Sequence, residues 1–101
     1  MKIIVDAEVE RYIYSLEKST IAKSLRTIDL LGKFGYLLGM PHSKKITVNL
    51  LELRIRGRQE IRILYCFHKE AIYLLSAFVK KSQKIPQKEL EKAEKKRWGL
   101  T

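Results

Sequence analysis

The sequence lacks the features that mark a secreted, membrane or zinc-binding protein. It has a single cysteine, Cys66, so it can form no internal disulfide and no cysteine-based zinc cluster. No apolar run approaches the roughly 20 residues that a membrane-spanning helix needs. The first residues also lack the apolar stretch of a signal peptide. We therefore expect a cytoplasmic protein that contacts no membrane and has no cysteine-based zinc site, and we predict no cofactor for it.

The sequence contains few residues of the types that break helices and strands. Only two prolines and five glycines occur in 101 residues, and no repeat or low-complexity linker divides the chain. A chain of this length suffices for one domain, and its 46% of hydrophobic residues can supply a core. We predict a single domain over residues 1–101.

Acidic residues are scarce: 11 Asp and Glu stand against 21 Lys and Arg, for a net charge of +10. The excess is concentrated, because residues 44–62 carry +4 and residues 80–97 carry +5, while the rest is nearly balanced. Such segments repel themselves and commonly meet a polyanion, most often a phosphate backbone. The alternative is a charged surface that only keeps the protein in solution.

The first half of the chain is predicted to be largely helical. Residues 2–5 read as a short strand. Apolar residues then recur at helical spacing in two segments. Asp6 is placed to cap the first helix, and Ser19 or Thr20 to cap the second.

The second half changes to an alternating pattern. Apolar and polar residues alternate in a way that predicts strands over 51–55, 61–67 and 72–79, joined by tight turns. A last helix begins near Pro86, with Trp98 as a hydrophobic anchor. These elements predict an α+β domain, in which N-terminal helices pack on one face of a small twisted antiparallel sheet and a C-terminal helix follows.

The hairpin of the first two long strands brings cations together. Paired residues of antiparallel strands project from the same face. If the apolar positions face the core, Glu52, Arg54 and Arg56 share the opposite face with Arg62. Arg54 and Arg62 are then direct or diagonal neighbours. Like charges so placed destabilise a hairpin by up to about 1 kcal/mol. Glu52 could compensate in part, and a bound phosphate fully, because guanidinium groups grip phosphate bidentately.

The next strand is predicted to extend this face. A tight turn at 68–71 would place three of its residues beside the arginines: Leu75, Ala77 and Val79. Lys81 would follow them, so that Arg54, Arg62 and Lys81 converge near one end of an open surface. The alternative is that these are ordinary solvated side chains on an exposed sheet.

Several motifs resemble one family. Residues 51–54 (LELR), Gly57 and residues 61–65 (IRILY) resemble the central hairpin of the RelE/ParE toxin superfamily. Residues 78–86 (FVKKSQKIP) resemble the signature of its HigB-like, phage-associated branch, and residues 37–44 resemble the loop that precedes its sheet. The resemblance extends from the second helix to the C-terminus, with the elements in the same order.

This resemblance implies the toxin of a type II toxin–antitoxin system, a metal-independent endoribonuclease that cuts messenger RNA in the ribosomal A site. Its partners would be the ribosome with its mRNA and a cognate antitoxin, often one with a helix-turn-helix domain. By motif match the catalytic residues would be Arg54, Arg62, Lys80 and Lys81. The arginines would hold the phosphate, and one of the lysines would transfer a proton. Further RNA or ribosome contacts would come from nearby residues: His42, Lys44, Lys45, Arg56, Arg58 and Lys84.

The sequence departs from some relatives near the last helix. Those relatives place a tyrosine or histidine there for acid–base work, whereas this chain has Ile85-Pro86-Gln87, so the general base stays open. Two other functions are possible. ParE-like relatives inhibit DNA gyrase, although residues 78–86 argue against that branch. A plain RNA-binding module would need exposed aromatic residues on its strands, and here only Tyr73 is available.

Overall fold

The computed structural model of the protein describes all 101 residues and shows a five-stranded sheet with helices on both of its faces. The elements in chain order are β1 (Lys2–Val5), α1 (Ala7–Tyr14), α2 (Lys18–Phe34), a 3-10 turn (Gly35–Leu37), β2 (Ser43–Lys45), β3 (Leu51–Ile55), β4 (Ile61–His68), β5 (Ala71–Val79) and α3 (Gln87–Trp98). The strands lie in the order β1-β5-β4-β3-β2. The predicted α+β class is confirmed. No helix combines the length and the apolar character needed to cross a membrane.

The first two helices begin differently from one another. Asp6 caps α1 as predicted, because its carboxylate accepts a hydrogen bond from the amide of the second helical residue at 3.0 Å. α2 begins earlier than predicted, at Lys18, and its N-cap residue Glu17 makes no side-chain hydrogen bond. The predicted caps Ser19 and Thr20 lie inside the helix. Thr20 is buried there, so packing, and not a capping side chain, sets where this helix starts.

Gly35 ends α2. Its φ of +52° lies in the left-handed region, which favours glycine, and its amide donates to the carbonyl of Leu31. A Cβ atom at this position would lie 2.8 Å from the Met1 sulfur. The left-handed backbone therefore favours glycine here, whereas the flexible Met1 side chain could move away from a Cβ atom.

Each face of the sheet carries its own apolar cluster. α1 and α2 cover one face, and their buried residues pack on inward side chains of β3, β4 and β5: Val9, Ile13, Ile28, Leu31, Leu53, Ile55, Ile61, Ile63, Tyr65, Ile72 and Leu74. α3 covers part of the opposite face over β4 and β5, in a smaller cluster: Leu50, Leu64, Cys66, Leu75, Phe78 and Ala93. The two faces of β4 thus pack against different helices.

Trp98 does not anchor α3. Its side chain is 77% exposed, so the predicted role is wrong. The helix is held instead by Ala93, which is completely buried, and by ion pairs to the start of α1. Lys96 Nζ lies 2.7 Å from an Asp6 carboxylate oxygen and 2.8 Å from a Glu8 oxygen. These pairs join the two ends of the chain.

The sheet is mixed, with a parallel pair at one edge. β1 runs parallel to β5, and Lys2 lies opposite Ala71. All other neighbouring strands are antiparallel. Alternation in sequence carries no information on direction, and no tight turn joins β1 to β5 to force an antiparallel pair. The short edge strand β2 was not predicted, and it begins within residues 37–44, which resemble the loop before the sheet of the toxin family.

A register shift between Leu64 and Tyr65 changes which residues of β5 face the arginines. Tyr65 lies opposite Leu74 but Leu64 lies opposite Ser76, so β5 contains one extra residue there. Leu75 packs in the α3 cluster, on the predicted face. The predicted positions of two later residues are wrong, because they pack on the opposite cluster: Ala77 and Val79. An extra residue exchanges the faces of everything after it.

Candidate functional site

Two arginines lie side by side on the face that α3 partly covers. The register of β3 and β4 pairs Arg54 with Arg62, as predicted. Arg62 is only 2% exposed, and the Arg54 side chain is 17% exposed. The predicted open surface and the alternative of an ordinary solvated side chain are therefore both wrong at Arg62, because it lies in a cleft with Phe78 and the segment after β5. A buried guanidinium requires partners.

Two carboxylates and one carbonyl provide those partners. A single Glu52 oxygen lies 3.0 Å from Arg54 Nε and 3.8 Å from Arg62 Nε. Glu60 accepts a hydrogen bond from Arg62 Nη2 at 3.1 Å, and the Ile61 carbonyl accepts one from Nη1 at 3.2 Å. The compensating role predicted for Glu52 is thus present. Arg62 uses two of the five N–H donors of a guanidinium in these bonds, so donors remain for an anion.

Glu60 was missed by the sequence analysis. It reads as a turn residue, and it lies just before β4. It precedes Arg62 by two residues, however, and residues two apart on an extended chain project to the same side. That spacing was the available signal.

A cleft of about 130 Å³ lies beside the arginine pair, and we call it the central cleft. Its lining contains six cations and one carboxylate, Glu52. It brings together all four predicted catalytic residues and two of the predicted RNA contacts: Arg54, Arg62, Lys80, Lys81, Lys44 and Lys84. They come from β2, β3, β4 and the segment after β5, so only the folded chain concentrates this charge.

The segment after β5 positions the two lysines. The Lys80 amide donates to the Glu60 carbonyl at 2.7 Å, which extends the pairing of the sheet by one residue. Lys80 is half-buried and Lys81 is exposed. Lys81 also lines a neighbouring cleft of about 370 Å³ between α1 and α3. The hydrogen bond from the Lys80 amide therefore holds the start of this segment beside Glu60, whose side chain accepts a hydrogen bond from Arg62.

The remaining predicted contacts lie outside the central cleft. Lys45 is exposed on the edge strand β2, opposite Leu51. Arg58 is exposed in the β3–β4 turn, 3.6 Å from Glu17. His42 and Arg56 line a different cleft, which they share with Arg54. The structure thus divides the predicted contacts between two clefts and open surface.

Two other buried groups on β4 serve packing. The Tyr65 hydroxyl is hydrogen-bonded to Ser43 Oγ, and burial raises the pKa of Tyr65, an effect that this hydrogen bond partly opposes. Burial also raises the pKa of the Cys66 thiol, which keeps it protonated and a poor nucleophile. No group of three or more histidine, cysteine, aspartate and glutamate side chains is placed to hold a metal ion.

The central cleft is suited to a phosphodiester. Guanidinium groups stabilise the charge that develops on a phosphoryl group in a displacement at phosphorus. No histidine or tyrosine lines the cleft, and its one carboxylate is committed to the arginines. Lysine ammonium groups are therefore the side chains placed to transfer a proton.

Comparison with known proteins adds an independent finding. Residues 11–97 match the family described as phage derived protein Gp49-like. The chain is also 37% identical over 81 residues to a protein of Mycobacterium tuberculosis (strain ATCC 25618 / H37Rv) with the name "Putative toxin HigB3". That similarity covers 74% of this chain and 70% of the relative. The family match includes every residue that lines the central cleft.

Proposed function

Because this chain belongs to the Gp49-like phage-derived family of RelE/HigB-type toxins, and is a HigB-like toxin of a toxin–antitoxin system, we propose that it is an endoribonuclease that cuts messenger RNA on the ribosome. The family recognised from its motifs is confirmed, and such a toxin has an antitoxin as partner. The observation that carries the proposal is the central cleft, with six cations and one carboxylate.

The proposed reaction needs no metal ion and uses the RNA as its own nucleophile. The 2′-oxygen attacks the adjacent phosphorus and gives up its proton to a base. The new P–O2′ bond forms as the P–O5′ bond breaks, and an acid protonates the leaving 5′-oxygen. The products are a 2′,3′-cyclic phosphate and a 5′-hydroxyl end. Arg54 and Arg62 stabilise the charge on the non-bridging oxygens, and Lys80 or Lys81 transfers a proton.

Glu52 and Glu60 give this site its rigidity. Arg62 is held between them, with bonds to a carboxylate and to the backbone of its own strand. Donors that are fixed before the substrate arrives need no reorganisation during the reaction. In this proposal the two carboxylates are positioning residues, and they leave the chemistry to the cations.

The setting of the activity is also part of the proposal. The toxin acts in the cytoplasm, in the ribosomal A site, where the ribosome supplies the conformation of the mRNA. The antitoxin carries a helix-turn-helix domain.

A plain RNA-binding module fits the structure less well. Single-strand readers present aromatic side chains on which bases stack. The candidate for that role, Tyr73, packs against the α3 cluster and meets His68 edge-on, with ring centroids 5.9 Å apart. It is therefore partly buried and already in contact with another ring, unlike the exposed aromatic residues of a stacking platform.

The proposal is tested by mapping transcript ends in cells that express the chain. The variant is Lys80→Met/Lys81→Met, and the matched control is Lys88→Met/Lys95→Met, which removes two exposed cations of α3 outside the central cleft. We expect new 5′-hydroxyl ends that are phased with codons. The cleft variant should lower their yield by about 100-fold or more, the usual contribution of acid–base catalysis.

Two outcomes would contradict this proposal. Growth arrest with intact mRNA and trapped gyrase would indicate the gyrase-inhibitor alternative. Equal cutting by the cleft variant and the α3 control would show that the lysines take no part in the chemistry.

A further inference from the structure

A second cleft is lined by cations without any carboxylate. It has a volume of about 310 Å³ and lies where the end of β3 meets α2. Its polar lining consists of four cations, one histidine and one threonine: Lys23, Arg26, Arg54, Arg56, His42 and Thr27. We call it the α2 groove. In the central cleft, by contrast, Glu52 neutralises part of the charge.

One stripe of α2 forms a wall of this groove. Four lining residues recur at helical spacing on a single face: Lys23, Arg26, Thr27 and Leu30. Lys23 and Arg26 are exposed, and Lys23 Nζ donates to the Arg56 carbonyl at 3.3 Å. The stripe escapes notice in the sequence because residues 1–43 are nearly neutral as a whole. Their acidic residues, such as Glu17 and Asp29, do not line the groove.

Arg54 lies between the two clefts and lines both of them. Its amide donates to the His42 carbonyl at 2.8 Å, and its guanidinium lies 3.9 Å from the Met40 sulfur. The side chain thus reaches toward the connection that forms one wall of the α2 groove. Positive charge is therefore continuous from the central cleft, through Arg54, to α2.

We propose that the α2 groove binds the sugar–phosphate backbone of a second RNA segment, beyond the nucleotides in the central cleft. The choice of RNA rests on the proposed function. Proteins hold single strands without reading sequence by lining a groove with cations that follow the backbone. The segment is either a flank of the strand that is cut or a stretch of ribosomal RNA. Both present the same phosphodiester chemistry.

The test compares Lys23→Gln/Arg26→Gln with Lys18→Gln/Lys33→Gln. Both pairs remove two exposed cations of α2, but the second pair lies outside the groove. The probe is a 12-nucleotide single strand of 2′-O-methyl RNA, which has no 2′-hydroxyl to attack. Binding is measured between 50 and 200 mM salt. A toxin that proved unable to cut RNA would overturn the proposed function and leave this binding result standing.

We expect the groove variant to bind less tightly than the control and to depend less on salt. The slope of log affinity against log salt falls by about 0.7 for each phosphate contact that a single strand loses, so two lost contacts lower it by about 1.4. The wild type should then lose about sevenfold more affinity than the groove variant over this fourfold change in salt. We expect a trinucleotide probe to be too short to reach the α2 groove from the central cleft, and therefore to bind both variants equally.

Two further measurements identify the source of the RNA. A defect with the 12-mer supports a flank of the cut strand. Normal 12-mer binding with weaker binding to purified ribosomes supports ribosomal RNA. The proposal would be overturned if the groove and control variants bound the 12-mer equally and also bound ribosomes equally. It would also be overturned if the protein bound a 12-residue polyglutamate as tightly as the 12-mer RNA. Arg26→Gln alone, which leaves the Lys23 hydrogen bond in place, should show about half the change in slope.

Discussion

Replacing Arg62 with methionine should destabilise the protein as well as inactivate it. Removing one member of a buried ion pair costs about 3–5 kcal/mol, because the remaining charge stays buried without its partner. In this variant Glu52 retains its ion pair with Arg54, at 3.0 Å, and the Glu60 carboxylate is 38% exposed and can be solvated by water. We therefore expect the lower end of that range, about 3 kcal/mol.

The assay is urea unfolding followed by far-ultraviolet circular dichroism. With a slope of about 1.5 kcal/mol per molar urea, a loss of 3 kcal/mol lowers the midpoint by about 2 M. Arg58→Met is the control, because the Arg58 side chain is 80% exposed, and it should stay within about 0.5 kcal/mol of the wild type.

A double variant tests whether Glu52 and Arg62 stabilise the fold as an ion pair. Glu52→Met/Arg62→Met replaces both members with apolar side chains, so its cost should be smaller than the sum of the two single costs by at least about 1 kcal/mol. Arg62→Met at wild-type stability, or strictly additive costs, would refute the reasoning. If the prediction holds, loss of toxicity in an Arg62 variant is not by itself a measure of catalysis.

Two more predictions concern the contacts that hold α3 and β2 in place. Hydrogen bonds from Lys96 and Lys92 hold the pKa of Glu8 below its ordinary value of 4.5. The Glu8 carboxylate therefore stabilises the folded state above pH 4.5, and this contribution is lost as the pH falls through the pKa of Glu8 in the folded protein. Lys96→Met should therefore be less stable than Lys95→Met at pH 7 in urea unfolding, with a difference that shrinks toward pH 3; a difference independent of pH would contradict this. Tyr65→Phe leaves the buried Ser43 hydroxyl without its partner and should cost about 1–2 kcal/mol, whereas Ser43→Ala/Tyr65→Phe should cost less than the sum of the two single changes. Wild-type stability of Tyr65→Phe would show that this hydrogen bond adds nothing.

The local part of the site was predictable from the sequence. The alternation over β3 and β4 predicted that Arg54 and Arg62 are direct or diagonal neighbours on one face, and the structure places them directly opposite one another. The same reasoning named Glu52 as a compensating charge, and this contact is also present. Both inferences depend only on the period of a strand and on one tight turn.

The non-local part was not predictable in the same way. The extra residue of β5 near Leu75 has no glycine or proline to mark it, and it exchanged the faces of Ala77 and Val79. Arg62 is buried among residues that the folded chain brings from other elements, including Glu52 and the segment after β5. Trp98 seemed an anchor because of its size alone, whereas Ala93 has the position that meets the sheet.

Glu52 acts as an internal counterion. A site of six free cations would attract mobile anions from solution and release them when RNA arrives, which makes binding strongly dependent on salt. In the central cleft a fixed carboxylate already lies between Arg54 and Arg62. A phosphate that meets this pair therefore displaces fewer mobile anions than one that meets the lysines of the cleft, with which Glu52 forms no ion pair. The arginine pair that is proposed to hold the reacting phosphate and the lysines that respond most to ionic strength are then different parts of one surface.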